Sequence, residues 1–105
     1  MVAGTVGDDL FITLAGELDL GAITHLDRAL ASFAVEAPFR RVLVDASAVV
    51  FCDSTGIQWL LHLPHRVRAI DGLRMLNVSP AVERVFTVAG LRGLLTRAAP
   101  ELALG

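Results

Sequence analysis

The stretch VVFCDSTGIQWLL, residues 49–61, contains the local pattern that decides the fold. It starts with four apolar residues, turns polar at Asp53-Ser54-Thr55-Gly56, and becomes apolar again at helical spacing. A short apolar run is typical of a buried strand, and spacings of three and four are typical of one helix face. Asp53 and Ser54 both have side chains that cap helices. The pattern therefore predicts a strand, a tight turn and a helix with the inner residues Ile57, Leu60, Leu61 and Val67.

The same alternation of apolar runs and helical periodicity repeats on both sides of this stretch. The predicted strands are residues 2–6, 10–14, 42–44, 73–78 and a short edge at Leu94-Leu95. One helix is expected over residues 22–34, closed by Pro38, and a later one starts at Ser79-Pro80 and ends at Gly90. Pro64 lies inside the helix between them and should kink or open it locally, at a cost of about 3 kcal/mol.

Strands that alternate with helices of this length require crossover connections, which produce parallel pairing. Residues 2–6 can instead pair antiparallel with residues 10–14 across Gly7-Asp8-Asp9. The predicted fold class is α/β, a single domain spanning residues 1–105 with a small mixed, largely parallel β-sheet. Polar groups of such sheets collect at the carboxyl ends of the strands. Asp19, Asp45 and the Asp53-Ser54 turn each follow a strand or strand-like run, so they are candidates to share one edge.

Composition excludes several classes of function. Nine arginines and no lysines oppose eleven acidic residues, a net charge of −2, which is too neutral for a dedicated nucleic-acid binder. Without lysine there is no Walker P-loop, no Schiff-base chemistry and no ordinary receiver-domain site. A single cysteine, Cys52, forms no internal disulfide and no multi-cysteine metal site, which favours a cytoplasmic location.

The apolar content is high, at 54% of residues with a mean hydropathy of +0.63. The longest stretch without a formal charge, residues 54–65, contains Gln58, His62 and Pro64, so a membrane insertion is not expected. Residues 1–9 have neither the basic residue nor the apolar run of a secretory signal. The surplus of apolar residues predicts a well-filled core or a partly apolar surface that contacts another protein.

Ser54 admits three interpretations from its sequence context. A hydrolase nucleophile elbow needs glycine two residues either side of the serine, but position 52 is cysteine, and His62 and His65 lie in the same helix as the serine. A helix cap is the commonest use of serine here, although Asp53 would serve equally well. An exposed hydroxyl on the first helical turn is also accessible to a kinase, and phosphorylation adds about −1.5 to −2 charges.

Other candidate sites are weaker. His62-x-x-His65 places two imidazoles on one helix face, with Cys52 or Asp53 as conceivable third ligands, but this spacing is more typical of a polar surface. Asp8-Asp9 precedes its strand, unlike the acidic pair of receiver domains. Trp59 lies at the margin of its helix face, as a core residue or an interface anchor. No catalytic residue set, metal site or cofactor is expected.

Five ordered blocks, spanning about residues 10–95, resemble the STAS domain, and within that family the bacterial anti-sigma factor antagonists. These blocks are Gly16-Glu17-Leu18-Asp19, Val44-Asp45-Ala46-Ser47, Phe51-Cys52-Asp53-Ser54-Thr55-Gly56-Ile57, Asn77-Val78-Ser79-Pro80-Ala81-Val82 and Ala89-Gly90-Leu91.

The resemblance implies a regulator of transcription rather than an enzyme. The unphosphorylated protein would bind an anti-sigma factor that is itself a serine kinase of the histidine-kinase-like ATPase fold, and so release the sigma factor. The kinase would phosphorylate Ser54 and end the binding, and a serine phosphatase would reset it. Asp19 would orient or polarise the serine hydroxyl.

By the same resemblance, the surface that meets the kinase would include Asp53, Thr55, Gly56 and Ile57, with Gln58 on the exposed face behind them. Gly56 would let a partner backbone approach closely. The alternative is a STAS adaptor that does not switch, as a subunit of a membrane transport complex or of a stress-sensing assembly.

Overall fold

The computed structural model describes residues 1–36, 38–91 and 93, and contains four strands and three helices in these ranges. The strands are β1 (Val2–Val6), β2 (Asp9–Leu18), β3 (Val42–Cys52) and β4 (Leu73–Val78). The helices are α1 (Leu20–Glu36), α2 (Ser54–Arg66) and α3 (Pro80–Val88). The predicted edge strand at Leu94-Leu95 lies outside the described residues.

The sheet has the order β1-β2-β3-β4. The hairpin partner β1 runs antiparallel to β2, whereas β3 pairs parallel with both β2 and β4. The expected α/β fold with a mixed, largely parallel sheet is confirmed. Because the last three strands are parallel, their carboxyl ends lie at one edge of the sheet, which we call the carboxyl edge, and their amino ends lie at the opposite edge.

One face of the sheet is covered by the helices, with α2 between α1 and α3. β2 as far as Leu14 and β3 as far as Ala46 alternate buried and half-buried residues, as expected when one face is packed and the other is more open. Phe11 and Leu43 are half-buried on the face away from the core. The core is contributed by β2, β3, β4 and all three helices, and its fully buried members include Leu10, Ile12, Val42, Val44, Leu60, Leu63, Val82 and Phe86.

Two strands are longer than the local pattern predicts. β2 continues past Gly16, which has a φ of +82°, to Leu18, and β3 is one strand of 11 residues rather than two apolar runs. Asp45 therefore lies inside β3 and not after a strand end. Its neighbours accommodate it through a register shift between Val44 and Asp45 in the pairing with β4. Pairing with β4 as far as Ala46 and with β2 as far as Cys52 holds β3 extended where local sequence alone indicates an interruption.

The helix ends follow their capping residues. α1 starts at Leu20, two residues earlier than predicted, and α3 starts after Ser79, whose hydroxyl oxygen accepts from the Val82 amide at 3.3 Å as expected. Pro64 lies in the last turn of α2, and its carbonyl accepts from the Ala69 amide at 2.8 Å, so the proline lies next to the helix end. None of the helices in the described part of the chain is long and apolar enough to cross a membrane.

Candidate functional site

The carboxyl edge brings together the ends of β2 and β3. Leu18 and Cys52 are register partners in the parallel pair, and each is followed by one aspartate and then by a helix. Asp19 therefore precedes α1, and Asp53 precedes α2, at neighbouring positions. The predicted clustering of these two aspartates and the serine turn at one edge agrees with this register.

Asp53 caps α2. Its backbone is extended, with φ −118° and ψ −175°, and its Oδ1 accepts from the Gly56 amide at 2.9 Å. Of the two candidate caps, the structure therefore uses Asp53. Ser54 is the first residue of the helix and is exposed, and within the described part of the chain no group hydrogen-bonds its hydroxyl. The hydroxyl is thus available to an external group.

Asp19 has the same arrangement at α1. Its Oδ1 accepts from the Ala22 amide at 3.0 Å, and its carbonyl accepts from the amides of Ala22 and Ile23. No hydrogen bond joins Asp19 to the Ser54 hydroxyl among the described residues. Its observed contact is with its own helix, and a role in orienting Ser54 stays a prediction.

Gly56 allows α2 to approach β2 closely. A Cβ atom at this position would lie 2.2 Å from the Leu18 carbonyl oxygen, which is closer than any side chain tolerates. The same carbonyl accepts from the Asp53 amide at 3.3 Å. Gly56 is buried, so the backbone that approaches it closely is that of Leu18 in this chain and not that of a partner.

The expected partner-binding residues divide by burial. Ser54 and Gln58 are exposed, and Asp53 and Thr55 are half-buried. Ile57 is only 3% exposed and belongs to the core. The expectation that Gly56 and Ile57 lie on the contact surface is therefore corrected: their helical positions face the sheet, and they support the turn from beneath.

Three exposed apolar side chains near the serine turn were not identified from the sequence. Leu20 is 71% exposed at the first position of α1, and Val50 and Phe51 are 74% and 49% exposed near the end of β3. Phe51 is the register partner of Glu17 on β2. The continuous apolar run at residues 49–52 was the sequence feature that indicated Val50 and Phe51. A strand that is covered on one face alone leaves some side chains of such a run exposed.

The two edges of the sheet differ in their charged side chains. Residues 16–21 and 50–57, at the carboxyl edge, contain the carboxylates of Glu17, Asp19 and Asp53 and no arginine. A negatively charged group added there meets no arginine from these residues. The opposite edge, with the starts of β2, β3 and β4 and the end of α2, carries charges of both signs: Arg40, Arg41, Arg66, Arg68 and Arg74 together with Asp8, Asp9 and Asp71. Arg40 pairs there with Asp71, and Arg41 pairs with Asp9.

Asp45, inside β3, and Cys52, at the end of β3, have perturbed pKa values. Hydrogen bonds from the Ser47 hydroxyl, at 2.7 Å, and from the Ser47 amide, at 2.9 Å, lower the pKa of Asp45. Burial, together with the adjacent charge of Asp53, raises the pKa of the Cys52 thiol to about 11. Cys52 is therefore a protonated, unreactive thiol at neutral pH.

Trp59 connects α2 to α1. It is 4% exposed, and its indole Nε1 donates to Asp27 Oδ1 at 2.7 Å. Arg66 donates to the same oxygen at 2.6 Å. Trp59 is therefore a core residue and not an exposed interface anchor. Asp27 accepts both bonds and so links the two helices.

The remaining candidates lie apart from this edge. His62 and His65 are exposed on α2, as predicted from the helical pattern. Within residues 1–36, 38–91 and 93, no group of three histidine, cysteine or acidic side chains is arranged to hold a metal ion.

Comparison with known proteins agrees with this geometry. A family model described as "Mlab, STAS domain" matches residues 1–96. An anti-sigma F factor antagonist from Lysinibacillus sphaericus is 26% identical over 98 residues, covering 92% of this chain and 84% of that protein.

Two solved structures share the fold. The unphosphorylated form of the anti-sigma factor antagonist SpoIIAA has a TM-score of 0.71 and 24% identity, covering 89% of this chain and 83% of that one. An anti-sigma factor antagonist from Mycobacterium paratuberculosis has a TM-score of 0.72 and 22% identity, covering 88% of this chain and 78% of that one. With the family match over residues 1–96, the sheet order and the capped serine turn, this chain belongs to the STAS domain family.

Proposed function

We propose that this protein is an anti-sigma factor antagonist controlled by phosphorylation of Ser54. Unmodified, it binds an anti-sigma factor that is a serine kinase of the histidine-kinase-like ATPase fold, and the sigma factor is released. Phosphorylation by that kinase ends the binding, and a serine phosphatase restores it. On this proposal the protein is a regulator rather than an enzyme and works in the bacterial cytoplasm.

The observation that carries the proposal is that Asp53, and not Ser54, caps α2. Asp53 supplies the cap of α2, and the exposed Ser54 hydroxyl makes no hydrogen bond to the described residues. A kinase can therefore reach it, and its modification leaves the cap in place. The likeness to named anti-sigma factor antagonists supports the same assignment.

Electrostatics supports the release step. A phosphate on Ser54 adds about −1.5 to −2 charges beside the carboxylates of Asp19 and Asp53. The helix N-terminus tolerates that charge locally, since its amides point toward it. A partner surface packed against the turn has to desolvate the phosphate, which opposes binding without any change of fold.

An intact-mass measurement tests the modification. The protein is purified from its native cells beside a Ser54→Ala version, under several growth conditions. The expected result is the mass of one phosphate in the parent and its absence in the variant. No modification in any condition would contradict the proposed switch.

A binding measurement tests the consequence. Ser54→Asp and Ser54→Asn have similar size and differ in charge, and the Asp53 cap should keep both folded. We expect Ser54→Asn to bind the anti-sigma factor kinase and Ser54→Asp to lose binding in calorimetric titrations. Equal binding by the two variants would show that charge at position 54 does not control the complex.

The second candidate function is a constitutive STAS adaptor in a membrane transport complex or a stress-sensing assembly. The exposed Leu20, Val50 and Phe51 favour it, because apolar side chains suit a permanent interface. This alternative predicts stable association whether or not ATP is present, with no phosphate on Ser54.

A further inference from the structure

Among residues 1–36, 38–91 and 93, nothing pairs with the outer edge of β1, and the strand itself has none of the usual protection of a sheet edge. β1 is the first strand of the sheet order and pairs with β2 along one side. Its five residues, VAGTV, include no charge and no proline, and Val2 and Val6 are 73% and 66% exposed. Natural edge strands are ordinarily blunted by charges, prolines or bulges, because an open edge pairs readily with another strand.

The hairpin determines which backbone groups face outward. Val6 pairs with Asp9 across the two-residue turn Gly7-Asp8, in which Gly7 has a φ of +60°. In such a hairpin the pair next to the turn is hydrogen-bonded, and hydrogen-bonded and non-hydrogen-bonded pairs then alternate. Val2, Gly4 and Val6 therefore direct their amides to β2. Ala3 and Thr5 direct theirs to the open edge.

We propose that this edge associates with a second copy of the chain, β1 against β1, antiparallel about a two-fold axis at Gly4. Ala3 then pairs with Thr5 of the second copy, and each such pair exchanges two N–H···O bonds. The same register sets Val2 opposite Val6 of the second copy. The strand is thus self-complementary, as a two-fold interface requires.

The side chains of the outer sheet face favour the same register. Gly4 is the register partner of Phe11, and nothing lies within 4 Å of a Cβ built at Gly4. Strands are about 4.8 Å apart, so the two Phe11 Cα atoms would be about 14 Å apart with two glycines between them. Those glycines leave room for the rings, which are half-buried outside the core in a single copy.

Interface size sets the expected strength. An edge of five residues buries less than the roughly 800 Å² per partner of a stable complex, so the association is weak and concentration-dependent. The proposed pairing of β1 with β1 does not depend on the function proposed above. Because the two β2 strands run antiparallel to each other, the two carboxyl edges point in opposite directions and both Ser54 turns stay accessible.

Site-directed disulfides test the register. Gly4 pairs with Gly4 of the second copy in a non-hydrogen-bonded pair, about 4.5 Å between Cα atoms. That separation lies within the range of about 4.4–6.8 Å that a disulfide spans. The two Val6 residues would be more than about 13 Å apart, since they are four positions apart along the strands.

Gly4→Cys and Val6→Cys are compared under mild oxidation with glutathione at high protein concentration. We expect a covalent dimer from Gly4→Cys and monomer from Val6→Cys, while the buried Cys52 remains a thiol. No dimer from Gly4→Cys, or equal cross-linking of both variants, would overturn the proposed register.

A charge exchange tests the interface without new cysteines. One variant carries Val2→Lys with Val6→Lys and the other Val2→Glu with Val6→Glu, both at exposed positions. Each should sediment as a monomer, and their equimolar mixture at low salt should form a dimer through opposite charges. A parent that remains monomeric at all concentrations, or a mixture no more associated than its components, would reject the second copy as the occupant of this edge.

Discussion

Gly56 is the position at the serine turn with the least space for a side chain. Gly56→Ala would drive a methyl group into the Leu18 carbonyl, so α2 must move away from β2. We expect a loss of about 2–3 kcal/mol in the free energy of unfolding, in the range of overpacked cores. Urea unfolding of the variant beside the parent measures it.

Gly4→Ala is the matched control for this substitution, because nothing lies within 4 Å of its Cβ. Its unfolding free energy should stay within about 0.5 kcal/mol of the parent value, as for other surface changes. Equal losses at both positions would show that the short approach to Leu18 is not the cause.

Cys52 offers a second prediction for a single residue. With its pKa raised to about 11 by burial, the thiol should react slowly with Ellman's reagent at pH 8 while the protein is folded. In urea the pKa returns to its ordinary value and the reaction should be fast. Rapid labelling of the folded protein would contradict the observed burial of Cys52.

The pairing of α1 with α2 depends on Asp27. Asp27→Ala leaves the buried Trp59 indole N–H without its acceptor, and an unsatisfied buried donor costs about 1–3 kcal/mol. Arg66→Ala removes the more exposed bond to the same oxygen and should cost less than about 1 kcal/mol. Urea unfolding followed by Trp59 fluorescence compares them, and an Arg66→Ala loss as large as that of Asp27→Ala would refute this ranking.

The middle of β3 should give the fold part of its acid sensitivity. Ser47 lowers the pKa of Asp45 in the folded chain, so the ionised Asp45 side chain stabilises the folded state. This contribution to the free energy of unfolding is complete above the usual pKa of 3.8 and is lost as the pH falls toward the lowered pKa of the folded state. Ser47→Ala removes the largest cause of that shift. Thermal unfolding between pH 6 and pH 3 should therefore depend less steeply on pH in the variant.

Some of this dependence should survive in Ser47→Ala. The hydrogen bond from Arg41 lowers the pKa of Asp9 in the same direction, and it is unaffected by the substitution. A slope identical to that of the parent would mean that Ser47 does not stabilise the Asp45 carboxylate.

Local signals were sufficient for some elements and not for others. β4 has the predicted bounds, and α3 begins at the predicted Ser79-Pro80 cap, because both depend on neighbouring residues alone. The lengths of β2 and β3 depend on pairing between distant segments, which no local window contains. For the same reason, Asp53 as a cap was foreseeable, whereas the contact of Gly56 with Leu18 was not.

At the scale of the whole molecule, the surface around Ser54 combines apolar side chains with carboxylates. Phe51 is half exposed there, and aromatic residues commonly anchor protein interfaces. We expect Phe51→Ala to weaken binding to the partner proposed above, an anti-sigma factor kinase, at least tenfold, or about 1.4 kcal/mol. Calorimetric titration without ATP measures the change.

Val88 provides the control for this prediction, since it is 83% exposed on α3, away from the turn. Val88→Ala should bind as the parent does. Equal weakening by both variants would indicate a general effect of lost apolar surface and not a contact at the carboxyl edge.

The Asp53 cap has a consequence for how such a protein can evolve. Because Asp53 and not Ser54 holds the start of α2, selection for folding imposes little on position 54. A single substitution there would abolish the proposed phosphorylation and preserve the fold. On the proposed function, a regulated antagonist and one that binds its partner permanently are therefore separated by one substitution, and no unstable intermediate lies between them.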